Sequence, residues 1–219
     1  MKIRIWDLPT RLFHWALAAS VIGLVVTAKT GGNAMVWHFR LGYLVLALLL
    51  FRLAWGLVGG HWSRFATFVY GPRSVLRYLR GGAPAAHTAG HNPLGSFSVF
   101  ALLLALAAQV TTGLFADDEI AYAGPLAHQV SAELSLSLTW YHKVIGEPLL
   151  IALVVLHLLA LAFYIGVKRQ RLVAPMWHGD KEVDGDLPAS RDGAGARWLA
   201  LAVFAAAGAV AAWVSRIGS

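Results

Sequence analysis

Five apolar segments, each long enough to cross a membrane as a helix, constrain the fold of this chain more than any other feature. A helix needs about 20 residues to cross a hydrocarbon core of about 30 Å. The chain has 219 residues, of which 58% are hydrophobic and only 13% charged, so an ordinary soluble domain is excluded. The apolar segments run approximately over residues 12–28, 36–58, 94–115, 138–166 and 198–214. We expect an all-α integral membrane protein, with a four-helix transmembrane bundle and a fifth, C-terminal transmembrane helix.

Lys and Arg are unevenly distributed between the segments that connect these spans. The N-terminal segment and the loops after spans two and four hold most of them. The loop 116–136, after span three, has no Lys or Arg but carries Asp117, Asp118, Glu119 and Glu133. Because Lys and Arg are enriched in cytoplasmic loops, we predict a cytoplasmic N-terminus, an outward loop 116–136 and an outward C-terminus. Such loops explain the net charge of +7 better than nucleic-acid binding does.

The basic loop after span two contains the segment GPRSVLRYLRGG, in which Arg alternates with Val, Leu and Tyr at helical spacing. This pattern is compatible with a short amphipathic helix on the inner membrane surface. A solvated basic loop is the alternative.

Four histidines lie in or beside the apolar spans, where ionisable side chains are costly and usually functional. His14 opens the first span and His38 the second, whereas His142 and His157 lie near the two ends of the fourth. The last two are separated by about 22 Å along a helix axis and by about 60° around it. In the predicted orientation, His14 and His157 lie near the inner surface, and His38 and His142 near the outer one.

These matched depths predict two haem sites, in which each pair ligates one iron from both sides. Such ligation leaves no open iron position and suits electron transfer. The chain has no cysteine, which excludes covalent c-type haem and thiolate-held clusters, so we expect two non-covalent b haems. Three alternatives remain at this point: hydrogen-bonded interior histidines, a zinc site, and a haem-free transporter that relays protons through histidines.

Arg52 is a further candidate for cofactor binding. It follows His38 by about 21 Å along the helix and about 40° around it, which places it near the depth of the inner haem. There it can pair with a haem propionate. The alternative is an arginine that extends to the inner surface. The other five histidines are expected to have ordinary surface roles.

Several motifs in the chain resemble the bacterial cytochrome b561 family, which includes the b-type cytochrome subunits of nickel–iron hydrogenases. They are WDLPTRLFHW around His14, WHFRLGY around His38, FRLAWGLVG around Arg52 and WYHKVIGEPLLIALVVLHLLA around His142 and His157, together with RFATFVYGP, GHNPLG and MWHGDK. The resemblance covers roughly residues 3–181 and implies a four-helix core in which these four histidines ligate two b haems. We therefore predict a di-haem membrane domain over residues 1–181, and a cytoplasmic linker with an additional transmembrane helix over 182–219.

The resemblance also implies a function in the respiratory chain of a bacterial inner membrane. In the orientation predicted from Lys and Arg, the C-terminus lies in the periplasm. Electrons would pass between the quinone pool and a periplasmic c-type cytochrome, a hydrogenase or another dehydrogenase. Whether such a chain is an electron-transfer subunit or a quinone oxidoreductase by itself stays open, since members of the family oxidise superoxide and reduce ubiquinone. The acidic loop 116–136 favours a basic protein partner over an anionic substrate.

Overall fold

The computed structural model describes residues 1–218. Within this range, five helices are long and apolar enough to cross a membrane, and they coincide with the five predicted spans: Leu8–Thr30, Gly32–Val58, Pro93–Leu114, Ala132–Gly166 and Ala194–Val214. The predicted all-α membrane fold is therefore confirmed. The domain boundary at residue 181 stays a prediction.

The spans are built from α-helices, and shorter helices and strands connect them. The α-helices are α1 (Leu8–Thr30), α2 (Met35–Val58), α3 (Pro72–Leu79), α4 (Ala86–Ala89), α5 (Pro93–Leu114), α6 (Ala132–Trp140), α7 (Glu147–Gly166), α8 (Val173–His178) and α9 (Ala194–Val214). A π-helical turn, Tyr141–Gly146, joins α6 to α7 and completes the fourth span. Two short strands, β1 (Lys2–Arg4) and β2 (Asp180–Glu182), pair antiparallel with Ile3 opposite Lys181. Because these strands have three residues each, the apolar pattern did not predict them.

All five spans begin before their predicted apolar segments, and two of them begin at a polar side chain that caps the helix. The carboxylate of Asp7 caps α1 by accepting the backbone N–H of Thr10 at 2.8 Å. In the fourth span, the hydroxyl of Ser131 accepts the N–H of Leu134 at 3.3 Å, so that α6 begins at Ala132. The loop that was predicted to face outward is therefore shorter than expected and ends at Ser131, because a polar cap can start a helix before its apolar stretch begins.

The chain forms two compact units, which we call unit 1 (residues 1–13, 52–101 and 155–203) and unit 2 (14–51, 102–154 and 204 onwards). Unit 1 contains the three basic connecting segments and the β1–β2 pair. Its core includes Ile5, Trp6 and Trp62. The ammonium group of Lys181 donates to the backbone carbonyls of Thr88 and Ala89 at 2.7 and 3.0 Å. These contacts bring the three basic segments together, as their prediction on one side of a membrane requires.

The segment GPRSVLRYLRGG contains α3, so its helical alternative agrees with the structure. A hydrogen bond connects α3 to α7 within unit 1: the hydroxyl groups of Tyr78 and Tyr164 are 2.8 Å apart. Leu76 and Leu79 on α3 are exposed.

In unit 2 the first four spans meet in a single apolar core. Its buried residues, from α2, α5 and α7, are Val45, Leu49, Leu106 and Leu150, and Leu17, Val21 and Leu24 of α1 pack against them. The fifth span packs beside α2, where the rings of Phe51 and Phe204 have centroids 6.0 Å apart. Many other apolar side chains of the spans are exposed, as expected of surfaces that face lipid.

Candidate functional site

His38 on α2 and His142 in the π-helical turn face each other within unit 2. Their ring centroids are 6.3 Å apart, and their ring planes are nearly perpendicular at 82°. Both residues are half-buried. The structure thus brings together the two histidines that were predicted to share the outer depth, although they lie far apart in sequence.

The imidazole of His38 is oriented by α1. Its Nδ1 lies 3.0 Å from the backbone carbonyl oxygen of Leu24 and 3.4 Å from the hydroxyl of Thr27. The Thr27 hydroxyl donates to the carbonyls of Gly23 and Leu24 at 2.7 and 3.1 Å. Since a carbonyl oxygen only accepts, Nδ1 carries the proton, and Nε2 of a neutral His38 is left as a free electron-pair donor.

The imidazole of His142 has the same support from α5. Its Nδ1 lies 2.9 Å from the carbonyl oxygen of Gln109 and 3.3 Å from the hydroxyl of Thr112. That hydroxyl donates to the carbonyls of Ala108 and Gln109 at 2.8 and 3.1 Å. Each bond contributes only about 1 kcal/mol net, so these contacts matter chiefly because they select the tautomer and the ring orientation.

The backbone at His142 is also unusual. In the π-helical turn, the N–H of Glu147 bonds to the carbonyl of His142, one residue further than in an α-helix. Such turns are rare and are frequent at functional sites. The side-chain Nε2 of Gln109 donates to the same carbonyl at 2.9 Å. Helix α5 therefore supports His142 at both its ring and its backbone.

The separation of these rings is compatible with one haem iron between them. A metal–imidazole bond is about 2 Å long, so two imidazoles on one iron have centroids about 6 Å apart, close to the separation observed here. One helical turn after His38, Gly42 faces open space, since a Cβ added there would meet no atom within 4 Å. Gly113 leaves room for the ring of His142, because a Cβ added to Gly113 would lie 2.9 Å from Cε1 of that ring.

A zinc site is less compatible with the structure. Structural zinc sites use four protein ligands, and catalytic sites use three. Among the residues that the structure describes, no group of three or more His, Cys, Asp or Glu side chains is placed to hold a metal ion. The pair His38–His142 therefore suits a cofactor that brings its own equatorial ligands to the metal.

The other two predicted ligands are placed on their predicted helices. His14 lies on α1 in unit 2, half-buried, with its ring edge-on to that of Trp15 at 5.0 Å. His157 lies on α7 in unit 1 and is also half-buried. Their assignment to one inner haem rests on their depth along the helices and stays a prediction.

Arg52 is buried, with only 4% of its surface exposed. Its Nη1 donates to the backbone carbonyl of Ser63 at 3.1 Å, and its guanidinium lies 4.5 Å from the ring centroid of Phe65 and 5.9 Å from that of Phe68. This burial opposes the alternative in which Arg52 extends to the inner surface. Contact with a haem propionate stays a prediction.

Comparison with known proteins supports the same assignment as the motifs. A family model described as prokaryotic cytochrome b561 matches residues 5–179, which is most of the chain. The chain belongs to the prokaryotic cytochrome b561 family. This confirms the resemblance, and with five apolar helices it makes the protein a multi-pass membrane cytochrome of b type that acts in electron transfer with haem b.

Several curated relatives of this cytochrome share one description, "Probable Ni/Fe-hydrogenase B-type cytochrome subunit". The protein of Azotobacter chroococcum mcd 1 is 28% identical, over 85% of this chain and 91% of the relative. The protein of Azotobacter vinelandii is 27% identical over the same shares. That of Bradyrhizobium diazoefficiens is 24% identical, over 82% of this chain and 86% of the relative. No solved structure matches the chain.

Sequence reasoning missed the residues that orient the two imidazoles of this cytochrome. Thr27, Gln109 and Thr112 are polar side chains inside apolar spans, a pattern that is costly in lipid and therefore informative. That signal could have marked them as functional candidates. It could not have paired them with His38 and His142, because the pairing depends on how the helices pack.

Proposed function

We propose that this cytochrome carries two b haems and passes electrons across the membrane. His14 and His157 ligate the inner haem iron, and His38 and His142 the outer one. The observation that supports this most strongly is the arrangement of His38 and His142, with ring centroids 6.3 Å apart and both Nδ1 atoms bonded to backbone carbonyls. That arrangement leaves two Nε2 atoms available to one metal.

The inner pair is argued from the helices. His157 follows His142 on the continuous span Ala132–Gly166, about 22 Å further along its axis. His14 lies on α1, which enters the membrane from the side opposite to that of α2. The spacing from His38 along α2 supports a position of Arg52 at the proposed depth of the inner pair, where its positive charge would suit a propionate.

The residues of the chain divide the work between holding and tuning the cofactors. When bound, each haem supplies a reversible one-electron couple. The four imidazoles would hold the two irons at two depths and would leave no position at which oxygen could bind. The carbonyls of Leu24 and Gln109 accept from Nδ1, which makes the outer imidazoles more basic ligands and favours the oxidised iron. The apolar side chains of the spans exclude water from the path.

We propose that the electrons pass between the quinone pool and a redox partner on the periplasmic side. The description of the curated relatives as hydrogenase subunits favours a hydrogenase as that partner. A periplasmic c-type cytochrome and another dehydrogenase are the other candidates. In each case the cytochrome acts in the respiratory chain as the membrane subunit of an oxidoreductase complex.

The proposed orientation places the N-terminus in the cytoplasm of a bacterial cell and the fifth span with its end towards the periplasm. It is supported by the positive-inside tendency, since the three basic segments all belong to unit 1. The acidic loop that follows α5 belongs to unit 2 and has no Lys or Arg. It is the surface offered to the periplasmic partner.

A spectrum of the purified full-length protein tests the cofactor content. We expect a dithionite-reduced b-type spectrum, about two haems per chain in a pyridine haemochrome assay, and complete extraction of the haem by acidified acetone. A short-chain quinol added to the oxidised protein should reduce both haems. A content well below two in fully loaded protein would contradict the di-haem proposal, and a haem-free protein would favour the proton relay.

A further inference from the structure

We propose that Gln109 is a positioning residue for His142, which holds the imidazole and the backbone of the histidine at the same time. The inference rests on the proposed function in one respect, namely that His142 ligates the outer haem. It adds a residue outside the ligand set that determines how this ligand is presented.

Gln109 makes two different contacts with the same histidine. Its backbone carbonyl oxygen lies 2.9 Å from Nδ1 of His142, and its side-chain Nε2 donates to the backbone carbonyl of His142 at 2.9 Å. The first contact limits rotation of the ring, and the second holds the backbone from which the ring projects. Two attachment points from one residue define the imidazole's position better than either contact alone.

The side-chain contact depends on the π-helical turn. There the carbonyl of His142 already accepts the N–H of Glu147. A carbonyl oxygen has a second lone pair, which the Gln109 amide occupies. Since this carbonyl can only accept, the amide must present Nε2 to it, and the orientation of the amide group follows. An amide among the apolar residues of α5 is costly in a membrane unless it has such a partner.

A glycine makes room for the amide. A Cβ added to Gly146, the last residue of the π-helical turn, would lie 1.9 Å from Oε1 of Gln109. No side chain larger than hydrogen fits there unless the amide moves. The turn therefore supplies both a carbonyl that binds the Gln109 amide and a glycine that admits it.

The same support is not repeated at the other histidine of the pair. His38 shares the bond from Nδ1 to a carbonyl and the nearby threonine hydroxyl, but it lies in a regular α-helix. The effect of Gln109 should therefore appear in the position of one axial ligand of one haem. This asymmetry separates a positioning role from general stabilisation of the bundle.

The first experiment replaces the amide without changing its length. In the full-length haem-loaded protein, Gln109→Met removes the donor but keeps an unbranched side chain of similar volume. We expect a shifted or broadened low-spin EPR signal for the outer haem, identified as the signal that His38→Ala abolishes, and an unchanged signal for the inner haem. Selective loss of the outer haem in this variant would equally support the positioning role of Gln109. The matched control is Gln129→Met, at an exposed position in the outward loop.

The second experiment uses the glycine. Gly146→Ala keeps Gln109 but displaces its amide, so it should reproduce the Gln109→Met signal. The double variant Gln109→Ala, Gly146→Ala has no amide for the new Cβ at position 146 to displace. It should therefore resemble Gln109→Ala alone. Such non-additivity is expected of residues that contact each other and not of distant, independent ones. An EPR signal in Gly146→Ala identical to that of the parent protein would overturn the proposal, as would purely additive effects.

A haem-independent measurement separates this proposal from the proposed function. Hydrogen–deuterium exchange of the backbone over residues 141–147 should be faster in Gln109→Met than in the parent protein, in both haem-loaded and haem-depleted samples. If His142→Ala retained both haems, the ligand assignment would be wrong while the exchange result still tested the Gln109 contact. Unchanged exchange together with an unchanged EPR signal would refute the positioning role.

Discussion

The buried carboxylate of Asp7 and the buried guanidinium of Arg52 are joined through Ser63. The hydroxyl of Ser63 donates to Oδ2 of Asp7 at 2.7 Å, and its carbonyl accepts from Nη1 of Arg52 at 3.1 Å. Asp7 has no exposed surface and also accepts from the indole of Trp55 and the N–H of Gly60. Burial of either charge alone would cost several kcal/mol, so the opposite charges and their shared serine compensate each other within unit 1.

Replacing this arginine tests its proposed position near the inner haem. Arg52→Ala should lower the midpoint potential of the inner haem, because a nearby positive charge favours the reduced, less positive iron. A charge about 10 Å away at an effective dielectric constant of about 20 corresponds to a shift on the order of 50 mV. A redox titration followed by optical spectroscopy measures it.

Arg40→Ala is the matched control, since Arg40 lies on the same helix but is exposed, with its guanidinium 4.9 Å from the ring centroid of Trp37. We expect no comparable shift of the inner haem in that variant. An inner-haem potential that stays unchanged in Arg52→Ala, with full haem content, would remove the propionate contact and leave Arg52 as the partner of Ser63 and its neighbouring rings.

The outer pair predicts that two single variants lose the same haem. His38→Ala and His142→Ala should each reduce the haem content from about two per chain to about one, with identical remaining spectra, because one bis-imidazole iron needs both rings. Haemochrome assays and EPR measure this. His128→Ala, at an exposed position of the outward loop, should keep both haems.

The inner pair predicts the complementary result. His14→Ala and His157→Ala should each remove the other haem and leave the signal that the outer variants lack. The experiment compares all four variants in the same detergent by EPR. If His14→Ala and His38→Ala removed the same haem, the histidines would pair by sequence adjacency and the assignment by depth would be wrong.

The acidic loop after α5, which is proposed to face the periplasm, predicts a charge effect on partner binding, and the structure shows which acids to change. Oδ1 of Asp118 accepts the N–H groups of Ile120, Ala121 and Tyr122, at 3.0, 2.9 and 2.9 Å, and these bonds, led by the one from Tyr122, lower the pKa of Asp118. Asp118 therefore organises the loop and should be kept. Glu119 in the loop and Glu133 in the adjoining first turn of α6 are exposed, and they are the better choices for charge reversal.

Glu119→Lys combined with Glu133→Lys should leave both haem spectra intact and slow electron exchange with a basic partner. The slowing should be several-fold at low salt and should diminish as salt rises, because exposed charges act mainly through screened steering. Stopped-flow kinetics at several ionic strengths measures it, with Glu119→Gln and Glu133→Gln as an intermediate pair. Equal rates at every salt concentration would contradict docking at this loop and strengthen the stand-alone oxidoreductase alternative.

Lys181 predicts a pH dependence of stability. Desolvation by burial lowers its pKa below the usual value near 10.5. A lysine with a lowered folded-state pKa binds fewer protons than the unfolded chain between the two pKa values, so its contribution to stability increases as pH rises through that window. Lys181→Met should flatten this alkaline increase in thermal stability, measured in detergent over the alkaline range below the usual lysine pKa. An identical pH profile would show that the ammonium group is not desolvated.

Motif and pattern reasoning was most reliable where a property belongs to one segment. The five spans were predicted correctly in kind, and the largest boundary error lay at the start of α6, where Ser131 acts as a cap. The pairing of β1 with β2 could not be predicted, because strands of three residues carry too few side chains for a pattern. Their register joins Lys2 to Glu182, which no local signal relates.

The sequence by itself determined that this protein is an apolar helical membrane cytochrome of the b561 family, because hydrophobic length, charge and motif are properties of individual segments. Only the tertiary structure decided that the ring centroids of His38 and His142 lie 6.3 Å apart and that the carbonyls of Leu24 and Gln109 accept from the Nδ1 atoms of these rings. It also decided that Ser63 joins Asp7 to Arg52. Those contacts connect residues from different helices. They depend on helix packing and on the local π-helical turn, neither of which is a property of any one segment.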